Sequence, residues 1–144
     1  MADSHIKYKD RYKYQLVEEC RVKVKILPET DVPPENSDET YLSLKTDGTL
    51  IINKGYAWDG PSGPSIDTPS FMRGSLVHDA LYQLMRKGHL DPEKHRKAAD
   101  EELRRICRED GMWKIRSNWV YWAVRTFAKK AASQDSQKQV IIAP

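Results

Sequence analysis

Residues 41–53 read YLSLKTDGTLIIN and contain the clearest local pattern in the chain. Two short runs rich in Leu and Ile, 41–45 and 49–53, flank an Asp47-Gly48 step. An Asp-Gly step supplies the positive φ that a tight hairpin turn requires. The stretch therefore predicts a β-hairpin.

The segment before the hairpin alternates between apolar and basic residues. Val22, Val24 and Ile26 would face one side, and Lys23 and Lys25 the other, as in a half-buried strand. Residues 28–39 are rich in proline and acidic residues, which predicts an exposed connection without ladder hydrogen bonds. The predicted strands therefore lie between about residues 14 and 53.

A loop and three helices are predicted after the hairpin. Residues 55–65, GYAWDGPSGPS, break every regular period, and three helical patterns follow at about 69–87, 92–109 and 117–132. Thr68-Pro69 and Asp91-Pro92 are cap-then-proline starts, and Gly88 is a typical helix end. We expect a single α+β domain over residues 1–132, with a small antiparallel sheet followed by three helices, and a flexible tail at 133–144.

Aromatic residues are concentrated near the third predicted helix. Their spacing favours core packing over an interfacial or oligomer contact, and the opposite face of the helix is expected in solvent through its basic residues. The aromatic cluster also includes Met112 and Trp113. The expected solvent-facing residues are Arg125, Lys129 and Lys130, and the expected apolar face of the helix consists of Trp119, Val120, Trp122, Ala123, Phe127 and Ala131.

Composition excludes several classes of protein. With 39% hydrophobic and 31% charged residues, the chain is not collagen-like, of low complexity or mainly disordered. No apolar run reaches the roughly 20 residues of a transmembrane helix, and the first residues do not resemble a secretory signal. We therefore expect no transmembrane segment and a cytosolic protein. Cys20 and Cys107 are too few and too distant for a disulfide framework or a four-ligand zinc site.

The charge balance does not indicate nucleic-acid binding. The net charge is +3, so no nucleic-acid partner is expected. Basic residues crowd the N-terminal segment, interleaved with Tyr8, Tyr12 and Tyr14. A solvated strand face is favoured there over stacking on bases or contact with lipid.

Two polar residues fall inside the apolar stripes of neighbouring predicted helices. His78 lies on the stripe of the first helix and Asp100 on that of the second. Because an unpaired buried carboxylate is costly, we expect the two side chains to meet. The pair is either a structural hydrogen bond or a base in which the carboxylate orients the imidazole so that its other nitrogen accepts a proton from water.

Asp79 raises the possibility of a metal site. It follows His78 directly, and a carboxylate beside a glycine-rich loop would suit Ca²⁺, which prefers oxygen ligands. A surface salt bridge is the alternative interpretation of Asp79. Zinc binding by His78, His89 and His95 is disfavoured because no HExxH spacing occurs, and the serine-hydrolase, P-loop and dinucleotide fingerprints are absent.

The pentapeptide His78-Asp79-Ala80-Leu81-Tyr82 resembles the HDxxY signature of phospholipases A2. In that family a glycine-rich calcium loop precedes the histidine by about fifteen residues, and 58–63 (WDGPSG) stands at a similar distance. Ala99-Asp100 is similar to the Ala-Asp pair of the disulfide-free parvoviral capsid type. The chain departs from the secreted enzymes in lacking paired cysteines around His78 and in the hairpin that precedes the loop.

The resemblance implies a role for each matching residue. His78 would be the general base, Asp100 its orienting carboxylate and Tyr82 the support of Asp100. Asp79 would bind calcium. Asp59 adds a charge that the family's loop lacks, and it is either another cation ligand or a turn residue. The remaining implied calcium ligands are the backbone carbonyls of Trp58, Gly60 and Ser62.

A second resemblance covers more of the chain, from about Leu44 to Phe127. The order of hairpin, loop 55–62, HDxxY, Ala99-Asp100 and Ala123-Val124-Arg125 is similar to the bacteriophage-associated family known as domain of unknown function 1353. That resemblance implies a phage gene, a location in the host cytoplasm or the virion, and no established activity.

Two functions follow from these patterns. The first is a phage-encoded, calcium-dependent, phospholipase A2-like hydrolase that acts on a phospholipid or another ester through a His-Asp dyad. The second is a non-enzymatic virion or tail accessory protein that contacts other virion proteins. In the second, His78, Asp79, Tyr82 and Asp100 form a structural network.

Overall fold

The computed structural model describes residues 14–58 and 69–127. These ranges belong to two compact units, one built from strands and one from helices, which confirms the predicted α+β class. Residues 59–65 of the predicted loop, the end of the third predicted helix at 128–132 and the predicted tail lie outside the described residues.

The strand unit contains two small antiparallel sheets. A three-stranded sheet has the order β2-β4-β3, and a two-stranded sheet pairs β1 with β5. In the first sheet Ile52 is opposite both Cys20 and Leu42. The strands are β1 (Tyr14–Gln15), β2 (Cys20–Lys23), β3 (Leu42–Leu44), β4 (Thr49–Ile52) and β5 (Ala57–Trp58).

The hairpin predicted at 41–53 is confirmed as β3 and β4. Gly48 closes its turn with a φ of +88°, and a Cβ at this position would lie 2.3 Å from the carbonyl oxygen of Val24. Only glycine fits this turn without displacing the neighbouring backbone. The predicted alternation is also confirmed, since Val24 and Ile26 are buried while Lys23 and Lys25 are exposed.

Two short segments pair where the sequence pattern predicted loops. Val32, in the proline-rich connection, exchanges two backbone hydrogen bonds with Leu44, at 2.9 and 2.8 Å. Proline removes only its own N–H, so Val32 beside Pro33 can still pair. Ala57–Trp58, at the start of the predicted loop, pairs with Tyr14–Gln15 as β5. That partner is more than 40 residues away, so local sequence does not reveal the pairing.

Three helices make up the second unit: α1 (Pro69–Arg86), α2 (Pro92–Glu109) and α3 (Lys114–Phe127). The first two agree with their predicted bounds to within one residue. Asp91 caps α2 by accepting a 3.0 Å hydrogen bond from the N–H of Glu93, as its cap-then-proline start indicated. The third begins at Lys114 rather than Ser117, and the Ser117 hydroxyl, inside the helix, donates to the Lys114 carbonyl at 3.0 Å.

A glycine allows α1 and α2 to approach closely. A Cβ at Gly74 would lie 2.7 Å from the Sγ of Cys107 and 3.1 Å from a methyl of Leu103. Burial raises the pKa of the Cys107 thiol to about 12, so this cysteine acts as a small apolar side chain of the helix contact. The contact brings the next turn of α1, with His78, opposite Asp100 of α2.

The buried face of α3 agrees with the prediction at Val120 and differs from it at the tryptophans. Val120 packs in a cluster with Phe71, Leu103, Cys107 and Met112. Trp113, Trp119 and Trp122 are exposed, so their predicted core packing is wrong. The reason is that α3 has apolar residues on more than one face, and its packing on the other helices selects the face with Val120 and Tyr121.

Candidate functional site

His78 and Asp100 are in contact, as their positions in two apolar stripes predicted. The Nε2 of His78 lies 2.7 Å from Oδ1 of Asp100, which joins α1 to α2. The carboxylate is fully buried, whereas the histidine side chain retains 13% of its exposure. A carboxylate can only accept, so Nε2 carries the proton and donates it in this hydrogen bond.

Both oxygens of the Asp100 carboxylate have further partners. The hydroxyl of Tyr82 donates to Oδ1 at 2.6 Å, and Arg125 donates to Oδ2 at 3.0 Å. Arg96 lies 3.8 Å from the same Oδ2 atom. Since Arg125 belongs to α3, a single carboxylate connects all three helices.

These partners keep Asp100 ionised. Burial acts to raise the pKa of the carboxyl, but hydrogen bonds from His78, Tyr82 and Arg125 outweigh burial and hold the pKa below its usual value. For Tyr82, burial and then the hydrogen bond to the Asp100 carboxylate raise the pKa of the phenol. Tyr82 therefore remains protonated as a donor, and its ring packs on that of His78 with centroids 4.2 Å apart.

The second nitrogen of His78 has a different environment from the first. Among residues 14–58 and 69–127, every buried side-chain nitrogen or oxygen has a hydrogen-bond partner. Within this part of the chain the ring of His78 is bonded through Nε2, to Asp100. No hydrogen bond of Nδ1 is found within these residues, and the side chain keeps 13% of its exposure, while Nε2–H is held by the carboxylate. This is the arrangement of a side chain that can accept a proton from water.

The proposed calcium ligands are only partly described. Asp79 is half-buried in α1, and Trp58 ends β5, whereas Asp59, Gly60 and Ser62 lie outside the described residues. In the described part of the chain, no group of three or more His, Cys, Asp or Glu side chains is arranged to hold a metal. The proposed set consists of oxygen donors alone, which is the chemistry that calcium prefers. Calcium binding stays a prediction.

Two site residues were missed by the sequence reasoning. Arg96 precedes Asp100 by four residues on α2, the spacing of a helical ion pair, and this signal could have identified it. Arg125 was expected in solvent, but it is half-buried and bonds Asp100. Its position depends on how α3 packs against α2, which no local pattern specifies.

The stability of the protein should depend on pH through Asp100. Because the folded pKa of this carboxyl is lowered, its stabilising contribution is present above the unfolded pKa of about 4 and is lost as the pH falls through the folded pKa. We expect the difference in unfolding free energy between the wild type and Asp100→Asn to shrink below about pH 4, measured by urea titration at successive pH values. A difference that stays constant down to about pH 2 would contradict the ionised, hydrogen-bonded carboxylate.

Comparison with known proteins identified no relative. No protein-family model, no curated protein and no solved structure matches the chain. The resemblances to phospholipases A2 and to the phage family therefore rest on the motifs alone. Among residues 14–58 and 69–127, no helix has the length and apolar character needed to cross a bilayer.

Proposed function

We propose that this protein is a phospholipase A2-like ester hydrolase in which His78 is the general base. The observation that supports this most directly is the state of the His78 ring, with Nε2 held by buried Asp100 and no hydrogen bond of Nδ1 to the other residues that the structure describes. The motif order adds the proposal that the protein is phage-encoded and acts in the host cytoplasm or from the virion.

In the proposed reaction, Nδ1 of His78 takes a proton from water as the water oxygen forms a bond to the ester carbonyl carbon. The ester C–O bond then breaks, and the proton passes from Nδ1 to the leaving alkoxide oxygen. Asp100 stabilises the imidazolium formed in between, and Tyr82 and Arg125 hold Asp100 in position. When bound, calcium would polarise the ester carbonyl, with Asp79 among its oxygen ligands.

A second function is favoured by a different observation. The Asp100 carboxylate joins α1, α2 and α3 through His78, Arg96 and Arg125, which suits a structural centre. In a non-enzymatic virion or tail accessory protein, this network would only stabilise the helical unit. The resemblance to phospholipases A2 assigns no role to Arg125, which bonds Asp100 in the structure.

The test is ester hydrolysis in mixed phospholipid vesicles. We expect the wild-type protein to release fatty acid when calcium is present and to lose this activity when a chelator is added. Calcium at millimolar concentration should also raise the melting temperature, because a ligand that binds only the folded state stabilises it. No release across a panel of phospholipid headgroups, together with no thermal shift, would leave the structural function.

A further inference from the structure

The solvent face of α3 carries an unusual set of side chains. Ile115, Trp119 and Trp122 follow the i, i+4, i+7 spacing of one helix face, and Trp113 immediately precedes the helix. They are 83%, 55%, 64% and 82% exposed, respectively. We call Ile115, Trp119 and Trp122 the exposed apolar face. It is about 10 Å long, from the rise per residue.

This concentration is not the usual scatter of single surface apolar residues. In the described part of the chain five large hydrophobic side chains are exposed. Three of them form this face, and the others are Trp113, which precedes the helix, and Leu27. Thr126, which shares the same side of the helix, bonds its hydroxyl to the Trp122 carbonyl at 2.9 Å. Apolar side chains that cluster at the surface in this way mark an interaction site.

The charged residues of α3 itself are all basic. They are Lys114, Arg116 and Arg125, of which Arg125 is paired with Asp100 of α2. Over residues 69–127 the chain has twelve Lys and Arg against eight Asp and Glu, a net charge of +4. An exposed apolar face bordered by basic residues is complementary to a surface in which negatively charged groups cover an apolar layer.

We propose that the exposed apolar face docks α3 in the plane of an anionic lipid bilayer surface. The indole rings of Trp119 and Trp122 would lie at the headgroup level, where a ring with both apolar and polar parts is favoured. Lys114, which is exposed at the start of the helix, would contact lipid phosphates.

A lipid surface fits the charges better than a second copy of this chain does. Two α3 helices face to face would bring basic residues together with no acidic residue of α3 to pair with them. Docking on a lipid surface does not require the protein to hydrolyse an ester. The two proposals share helix α3, because Arg125 of this helix donates a hydrogen bond to Asp100. If the proposed hydrolysis is also correct, docking would place the helical unit on the surface that contains the substrate.

The experiment measures binding to vesicles in the presence of chelator, so that calcium-dependent turnover does not contribute. We expect the wild type to co-sediment with vesicles of mixed phosphatidylcholine and phosphatidylglycerol, with a blue shift of tryptophan emission. Binding to phosphatidylcholine alone should be weaker, and salt should weaken binding to the mixed vesicles. The double variant Trp119→Ser/Trp122→Ser should bind about ten- to a hundredfold more weakly.

The matched control is Leu27→Ser, which removes an exposed apolar side chain from the strand unit and should leave binding unchanged. Thermal melting should show both variants folded, since Trp119, Trp122 and Leu27 are all exposed.

Equal binding by the double variant and the wild type would overturn the proposal, as would no wild-type binding to either vesicle. Self-association that the double variant abolishes, without vesicle binding, would assign the face to a second copy instead. Loss of ester hydrolysis in His78→Gln with vesicle binding retained would separate the two proposals.

Discussion

Replacing Asp100 by alanine is expected to lower the free energy of unfolding by about 3–5 kcal/mol, the cost of removing one partner of a buried ion pair. The substitution removes the acceptor of hydrogen bonds from His78, Tyr82 and Arg125. Arg96 and Arg125 keep their charges in a part-buried location without the carboxylate. The substitution also removes the group through which α1, α2 and α3 contact one another at this point.

Urea unfolding monitored by circular dichroism measures this effect. Glu101→Ala is the matched control, because Glu101 is the next residue of α2 and is exposed; it should change stability by less than about 0.5 kcal/mol. A double-mutant cycle of Asp100→Ala with Arg125→Ala should show a coupling free energy of about 0.5–3 kcal/mol. If Asp100→Ala costs no more than Glu101→Ala, the carboxylate does not hold the helices together as described.

Replacing His78 by glutamine is expected to slow the proposed ester hydrolysis by about 10²- to 10⁴-fold, the usual contribution of a general base. The glutamine amide can still donate to Asp100, so the hydrogen bond that connects α1 and α2 has a substitute. It has no nitrogen lone pair that accepts a proton in place of Nδ1. The rate should therefore fall while the melting temperature changes little. Fatty-acid release from mixed phospholipid vesicles with calcium measures the rate.

The control for this prediction is His95→Gln, the same chemical change on α2. Burial lowers the pKa of His95, but this side chain lies near the start of the helix and takes no part in the network around Asp100. His95→Gln should retain the wild-type rate. Equal hydrolysis by wild type and His78→Gln would rule out His78 as the base and point to a contaminating esterase or another group.

Much of the secondary structure could be predicted because its signals are local. The Asp47-Gly48 step specifies the turn between β3 and β4, and Asp91 followed by proline specifies the start of α2. The contact of His78 with Asp100 could also be anticipated, because a buried polar residue on one helix requires a partner and the neighbouring helix supplied one. Arg96 could have been predicted as a further partner of Asp100, because it precedes Asp100 by four residues on the same helix.

The sequence by itself determined the three helices and most of the strands, and which polar residues had to be paired on α1 and α2. Only the tertiary structure decided the orientation of α3. Because that helix is apolar on more than one side, its own periodicity does not select a buried face; contact with the side chains of α1 and α2 does. That choice buries Val120, brings Arg125 to Asp100 and leaves Trp119 and Trp122 in solvent.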